Sequence, residues 1–216
     1  YVPQADKGQV YIPPIDRQAF TTYLPPLGLG DTRNIDELRK TNTLRVGLDN
    51  TLQTRDPVYG SRDLLVFNAA ADFRFSHLAS EREFDAIHTE LALIPARWLQ
   101  LNVYESFAPQ DFTLRQLTTG LTLLDGEAWS LRLANHYLQR QTDDYQLDGR
   151  LRLNEVYTVA ARLQYDSLNH RFTETSFGLR QNLDNAWLLQ YGITLYGGPR
   201  RESSFGFSVQ LEVLRF

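Results

Sequence analysis

The chain has 216 residues and a net charge of −4, and its Lys and Arg residues are scattered, which argues against nucleic-acid binding. No run of about 18 apolar residues occurs, so a transmembrane helix is excluded. Transmembrane strands are not excluded, because their inward polar residues dilute the hydropathy signal. The absence of cysteine removes disulfides and thiolate metal sites from consideration.

Residues 1–43 are predicted to form an irregular segment or an extracellular loop. The stretch "YIPPIDRQAFTTYLPPLGLGD" carries two Pro-Pro pairs and two closely spaced glycines, which favour extended, irregular backbone. A short helical turn is predicted for "NIDELRK" at 34–40. The chain starts without an initiator Met, a charged n-region or an apolar h-region, so we expect a processed protein or a piece of a longer one.

Residues 44–216 predict eleven successive strands. Hydrophobic and polar residues alternate along most of them, as in the apolar series Tyr157, Val159, Ala161 and Leu163, which interleaves with Thr158 and Arg162. This period of two indicates strands with two unlike faces. The predicted strands are 44–54, 63–75, 82–94, 98–108, 112–124, 128–140, 144–153, 156–166, 169–182, 186–197 and 203–216.

An aromatic residue opens every second strand in the middle and later part of the chain. Trp98, Trp129, Tyr157 and Trp187 recur about every 30 residues, each just after a short turn. That spacing equals two strands and two turns, so the four aromatics are predicted to lie at one end of the sheet. An aromatic row at that position is typical of the girdle at a membrane interface.

The strand length, the short turns and the aromatic row predict an antiparallel transmembrane β-barrel. About 11–12 strands lie in this chain. Bacterial single-chain barrels have even strand numbers, so either the count of eleven is wrong by one or further strands complete a larger barrel. Two alternatives remain open. One is a passive porin-like outer-membrane barrel, and the other is a soluble β-sandwich binding module, which shows the same alternation.

Three stretches resemble the LptD family of outer-membrane lipopolysaccharide-assembly proteins. "IDELRKTNTLRVGLDNTLQTRD" (35–56) resembles the point where that family's chain enters its later barrel strands. "RLNEVYTVAARLQYDSLNHRFTETSFGLRQNLDNAWLLQYGI" (152–193) resembles its penultimate hairpins, in which an "LNE" turn, a "YD" strand end and a Trp recur in this order. "FGFSVQLEVLRF" (205–216) resembles its closing strand. The resemblance covers about residues 35–216.

The resemblance implies the C-terminal barrel portion of a lipopolysaccharide exporter in the bacterial outer membrane. In this family a periplasmic jellyroll receives lipopolysaccharide, and a barrel plugged by the lipoprotein LptE releases it sideways between its first and last strands. The implied partners are lipopolysaccharide, an LptE-like plug, other periplasmic Lpt components bound through an N-terminal domain outside this chain, the barrel-assembly machinery and membrane lipid. The family often links jellyroll and barrel through cysteines, which this chain lacks. The implied lateral-gate residues are Phe205, Phe207, Val209, Leu211 and Val213.

Charged residues on the polar strand faces are the candidates for contacts inside the barrel. One interpretation is that they form salt bridges that rigidify the barrel wall. The other is that they bind a plug protein or an anionic glycan, since arginine binds phosphate through two parallel hydrogen bonds. The lumen-facing candidates are Arg132, Arg150, Arg152, Arg162, Arg180 and Glu174.

No catalytic constellation is recognisable, so the chain is predicted not to be an enzyme and to need no cofactor. There is no nucleophile elbow, phosphate loop or zinc-protease motif. The histidines have no partner at metal-ligand spacing and are predicted to be solvated loop or lumen residues. They are His77, His88, His136 and His170.

Overall fold

The computed structural model describes residues 21–25, 27, 42–56, 60–75, 83–183, 186–197 and 204–213. Most of the predicted irregular segment 1–43, the predicted helical turn at 34–40 and the end of the predicted closing strand, 214–216, lie outside the described residues. Within the described ranges, no helix is long and apolar enough to cross a membrane.

The described residues form an all-β fold, and each of the eleven predicted strands is present with bounds that differ by three residues or fewer. The strands are β1 (Thr43–Asp56), β2 (Gly60–Arg74), β3 (Phe84–Ala96), β4 (Leu99–Phe107), β5 (Leu114–Asp125), β6 (Trp129–Leu138), β7 (Thr142–Arg152), β8 (Tyr157–Asp166), β9 (Arg171–Leu183), β10 (Trp187–Tyr196) and β11 (Phe205–Val213).

The strands form one antiparallel sheet in which neighbours in sequence are neighbours in space, in the order β1 to β11. The all-β, antiparallel part of the prediction is therefore confirmed. β1 and β11 are the two edges, and across the described residues they do not pair with each other. These eleven strands are consequently not closed into a barrel.

Tight turns determine where β6 and β8 begin, at one end of the sheet. In the turn between β5 and β6, Gly126 has a φ of 51°, a left-handed conformation that suits glycine. Between β7 and β8, the Oδ1 atom of Asn154 accepts hydrogen bonds from the backbone nitrogens of Val156 (2.9 Å) and Tyr157 (2.7 Å). These local bonds hold the backbone of Tyr157 at the start of its strand.

The chain divides into two compact units. One comprises Tyr1–Leu93 and Asn102–Thr118, and the other comprises Ile94–Leu101 and Thr119–Phe216. β1 and β2 belong to the first unit and β6 to β11 to the second.

In the second unit, the strand register sorts the side chains of β6–β11 onto two unlike faces. The face here called the apolar face carries, in successive strands, Leu131, Gly149, Ala161, Phe177, Ile193 and Phe207. The opposite face, here called the polar face, carries in successive strands Arg132, Asp148, Arg162, Ser176, Thr194 and Gly206. A shift of the register by one residue would exchange the two faces of a strand. Because the pairing has no such shift at these positions, apolar residues of neighbouring strands lie beside one another, and so do polar residues.

Burial in the second unit is inverted relative to a soluble sheet. Leu133, Ile193 and Phe207 on the apolar face are exposed, and 63% of the surface of Phe207 is accessible. Ala134 and Leu188, which are buried, lie on the polar face. The apolar face is thus the uncovered one.

The first unit shows the same inversion. Its apolar face includes Val46 and Leu48 of β1, which are exposed, and the register pairs these residues with Ala71 and Ala69 of β2. Its polar face holds the buried residues Ala70, Asp72, Ala86 and His88.

Candidate functional site on the polar face

A buried hydrogen-bond network ties four neighbouring strands together on the polar face of the first unit. Arg45 of β1 binds Asp72 of β2 through two bonds, Nε to Oδ1 at 2.6 Å and Nη2 to Oδ2 at 2.8 Å. The Nε2 atom of His88 in β3 lies 3.1 Å from Oδ2 of Asp72, and its Nδ1 atom lies 2.9 Å from the hydroxyl of Tyr104 in β4. The rings of His88 and Tyr104 are stacked, with centroids 6.1 Å apart.

Each side chain of this network has a hydrogen-bond partner within it, as buried charged groups require. The side chains of Arg45 and Asp72 are only 15% and 9% exposed. A bidentate arginine–carboxylate pair of this kind is among the stronger protein contacts. The network therefore acts as a polar core for β1–β4.

Part of the N-terminal segment lies against the same polar face. The backbone nitrogen of Leu24 donates to Oε2 of Glu90 over 3.1 Å, and the same oxygen accepts from Nδ2 of Asn68 at 3.2 Å. The carbonyl oxygen of Pro25 accepts a bond from Nη1 of Arg45. The described part of the segment 1–43 is thus held against the strands by backbone groups.

In the second unit, the register places all six predicted lumen-facing residues on the polar face. Arg132, Asp148 and Arg162 stand side by side in β6, β7 and β8, and Arg152, Thr158 and Arg180 stand side by side in β7, β8 and β9. The other two predicted residues, Arg150 and Glu174, lie opposite Ala160 and Gln164 of β8.

The acidic partners in this part of the face balance only some of the arginines. Nε of Arg162 binds Oδ1 of Asp148 at 2.6 Å, and Nη1 of Arg152 binds Oε2 of Glu127 at 2.9 Å. Among the described residues, neither Arg150 nor Arg180 forms an ion pair. Both of these arginines are exposed, so their charges are open to solvent.

The predicted aromatic row lies at the end of the sheet that carries the short turns. Trp129, Tyr157 and Trp187 open β6, β8 and β10, and Trp98 lies in the turn between β3 and β4. All four side chains are exposed. The antiparallel order therefore brings them to the same end, two strands apart.

A second aromatic row lies toward the opposite end of the apolar face. The sequence did not predict this row. Tyr145 of β7, Tyr165 of β8 and Phe172 of β9 are direct neighbours in the register. Tyr165 and Phe172 meet edge to face, with ring centroids 5.3 Å apart. The register shift between Gln164 and Tyr165 brings Phe172 opposite Tyr165, and this shift is not readable from the sequence.

The predicted gate residues lie on the edge strand β11. Their side chains alternate with Gly206, Ser208 and Gln210, and all five are exposed on the apolar face. β10 pairs with one side of this strand. The five are Phe205, Phe207, Val209, Leu211 and Val213.

The prediction of solvated histidines is wrong for His88, which is 8% exposed and bonded to Asp72 and Tyr104. Its partners are 16 residues away in either direction, so only the strand register brings them together. His136 is half-buried on the polar face opposite Asp144, His170 lies in the turn after β8, and His77 is outside the described residues. In the described part of the chain, no three His, Asp or Glu residues cluster as a metal site.

Comparison of the sequence with protein-family models and with curated proteins found no match.

Two ion pairs with the same 2.6 Å Nε–Oδ1 distance provide a matched test of the network. Asp72→Asn removes the charge that compensates buried Arg45, so it should lower the free energy of unfolding by about 3 kcal/mol. Asp148→Asn breaks the pair with Arg162, whose side chain is 52% exposed, and should cost about 1 kcal/mol or less. Urea unfolding of the two variants measures both values; equal losses would contradict the buried role of Asp72.

Proposed function

We propose that these strands form part of the wall of a transmembrane β-barrel in a bacterial outer membrane. The observation that carries the proposal is the inverted sheet, whose apolar face is exposed along β6–β11 while its buried residues lie on the polar face. In water, an exposed apolar surface of this extent would be unfavourable. Lipid removes that cost, because hydrocarbon is the natural environment of such a face.

The two aromatic rows support this proposal through their spacing. On β8, Tyr157 belongs to one row and Tyr165 to the other, and Val159, Ala161 and Leu163 lie between them on the same face. Eight residues extend about 27 Å along a strand. A strand tilted by about 40° spans about 20 Å of membrane height over that length, which fits an apolar band of about 25 Å between two girdles.

The proposal includes further strands between β11 and β1. Lipid offers no hydrogen-bond partner to an open sheet edge, so a sheet in a membrane must close. Eleven antiparallel strands leave β1 and β11 running in the same direction. Closure with antiparallel pairs alone therefore takes an odd number of additional strands.

Within this class, we propose lipopolysaccharide export as the function, with β11 on one side of a lateral gate. The support is the resemblance of residues 35–56, 152–193 and 205–216 to the LptD family. A lipopolysaccharide ligand, an LptE-like plug and the other Lpt components belong to this proposal. The passive porin and the soluble binding module are the competing functions, and the soluble module requires folding in buffer without detergent or lipid.

A charge on the apolar face tests the membrane proposal. Ile193→Arg places a guanidinium between Phe177 and Phe207 and should destabilise the protein folded in lipid vesicles by about 2–4 kcal/mol. Thr194→Arg, one residue later, places the same charge on the polar face and should cost less than about 1 kcal/mol. Urea titration in vesicles measures both. Similar losses for the two variants would mean that Ile193 does not contact hydrocarbon.

Photocrosslinking separates lipopolysaccharide export from a passive pore. Lipopolysaccharide of the outer leaflet touches only the outside of a barrel, whereas exported molecules pass its inside. A photoreactive residue at Ser208, on the polar face of β11, should therefore form an adduct with lipopolysaccharide in growing cells. The adduct should disappear when lipopolysaccharide synthesis is stopped. An adduct that persists, or none in growing cells, would contradict the export function.

A further inference from the structure

The polar face of β7–β9 carries three arginines around a floor of small side chains. Arg150 and Arg152 stand two residues apart on β7, and Arg180 stands on β9. On the intervening strand β8, Ala160 faces Arg150 and Thr158 faces both Arg152 and Arg180.

The dimensions of this group follow from sheet geometry. Arg152 and Arg180 flank one strand, so their Cα atoms are about 10 Å apart, and those of Arg150 and Arg152 are about 7 Å apart. Gly178 of β9, opposite Ala160, extends the low floor. Extended arginine side chains at these separations can reach a common ligand above it.

The charge of the group is only partly compensated. Glu127 binds Arg152 at 2.9 Å, but this carboxylate is 85% exposed, so the pair is weak. Among the described residues, Arg150 and Arg180 have no acidic partner. Like charges close together on one face of a sheet destabilise it, and an anion placed between them relieves the repulsion.

We propose that Arg150, Arg152 and Arg180 form a binding site for a phosphate group. Phosphate suits the site because guanidinium groups bind its oxygens through pairs of parallel hydrogen bonds, and because several arginines can share its three outer oxygens. The phosphate can be free or carried by a sugar. The site depends only on the register of β7–β9, so it does not require that the apolar face meets lipid or that the protein exports lipopolysaccharide.

Titration of the full chain in an uncharged detergent tests the site. Orthophosphate and glucose 1-phosphate are the two probes, with binding followed by calorimetry and by ³¹P line broadening. The wild type should bind at least one of them, and its affinity should fall as salt is raised. Equal affinity for the two would assign recognition to the phosphate alone, whereas tighter binding of glucose 1-phosphate would add a contact to the sugar. No binding of either probe would overturn the proposal.

Variants distinguish binding at these three arginines from nonspecific attraction of phosphate to positive charge elsewhere on the protein. Arg150→Gln with Arg180→Gln should weaken phosphate binding at least tenfold. Arg140→Gln, in the turn between β6 and β7, neutralises a cation away from the site and should leave affinity within about twofold. If the double Gln variant fails to fold, Arg150→Lys with Arg180→Lys keeps the charge but loses the bidentate geometry, and should still weaken binding several-fold. Unchanged affinity in the folded double variants, or an equal loss in Arg140→Gln, would overturn the site.

Discussion

The structure depends on one constraint: most apolar side chains lie on one face of the strands, and most charged side chains lie on the other. Backbone pairing alone does not set this separation, because a slip of one residue would keep the hydrogen bonds and exchange the faces. The described register shifts lie close to strand ends, between Leu52 and Gln53, between Asp72 and Phe73, and between Gln164 and Tyr165. The central part of each of these faces therefore stays in phase across neighbouring strands.

The polar faces of the two units differ in how their charged side chains are paired. In the first unit, Asp72 compensates the charge of Arg45 within a buried network that also includes His88 and Tyr104. In the second unit, the arginines of β6–β9 outnumber the acidic residues that bind them and are exposed. The first arrangement stabilises the strands, whereas the second leaves binding capacity for an anion.

The sequence allowed the strands and their faces to be predicted, since both follow from local alternation and from turn residues such as Gly126 and Asn154. It also located the aromatic row, because Trp129 and Trp187 directly follow turns. The network around His88 was not predictable, since its partners lie on other strands and meet only through the register. The second aromatic row was not predictable for the same reason, because the register shift beside Tyr165 decides which residue Tyr165 faces. Contacts between strands need a register, and a single sequence does not specify one.

The central claim, that the apolar face meets lipid, is tested most directly with the three native tryptophans. All three belong to the aromatic row at the short-turn end of the sheet, so the protein needs no substitution or label. The measurement is quenching of tryptophan fluorescence in vesicles whose lipids carry bromine at defined depths along the acyl chain. Strong quenching by bromine near the headgroups and weak quenching by bromine near the bilayer centre is the predicted result, because a girdle sits at the interface. Fluorescence that is the same in brominated and unbrominated lipid would contradict the claim.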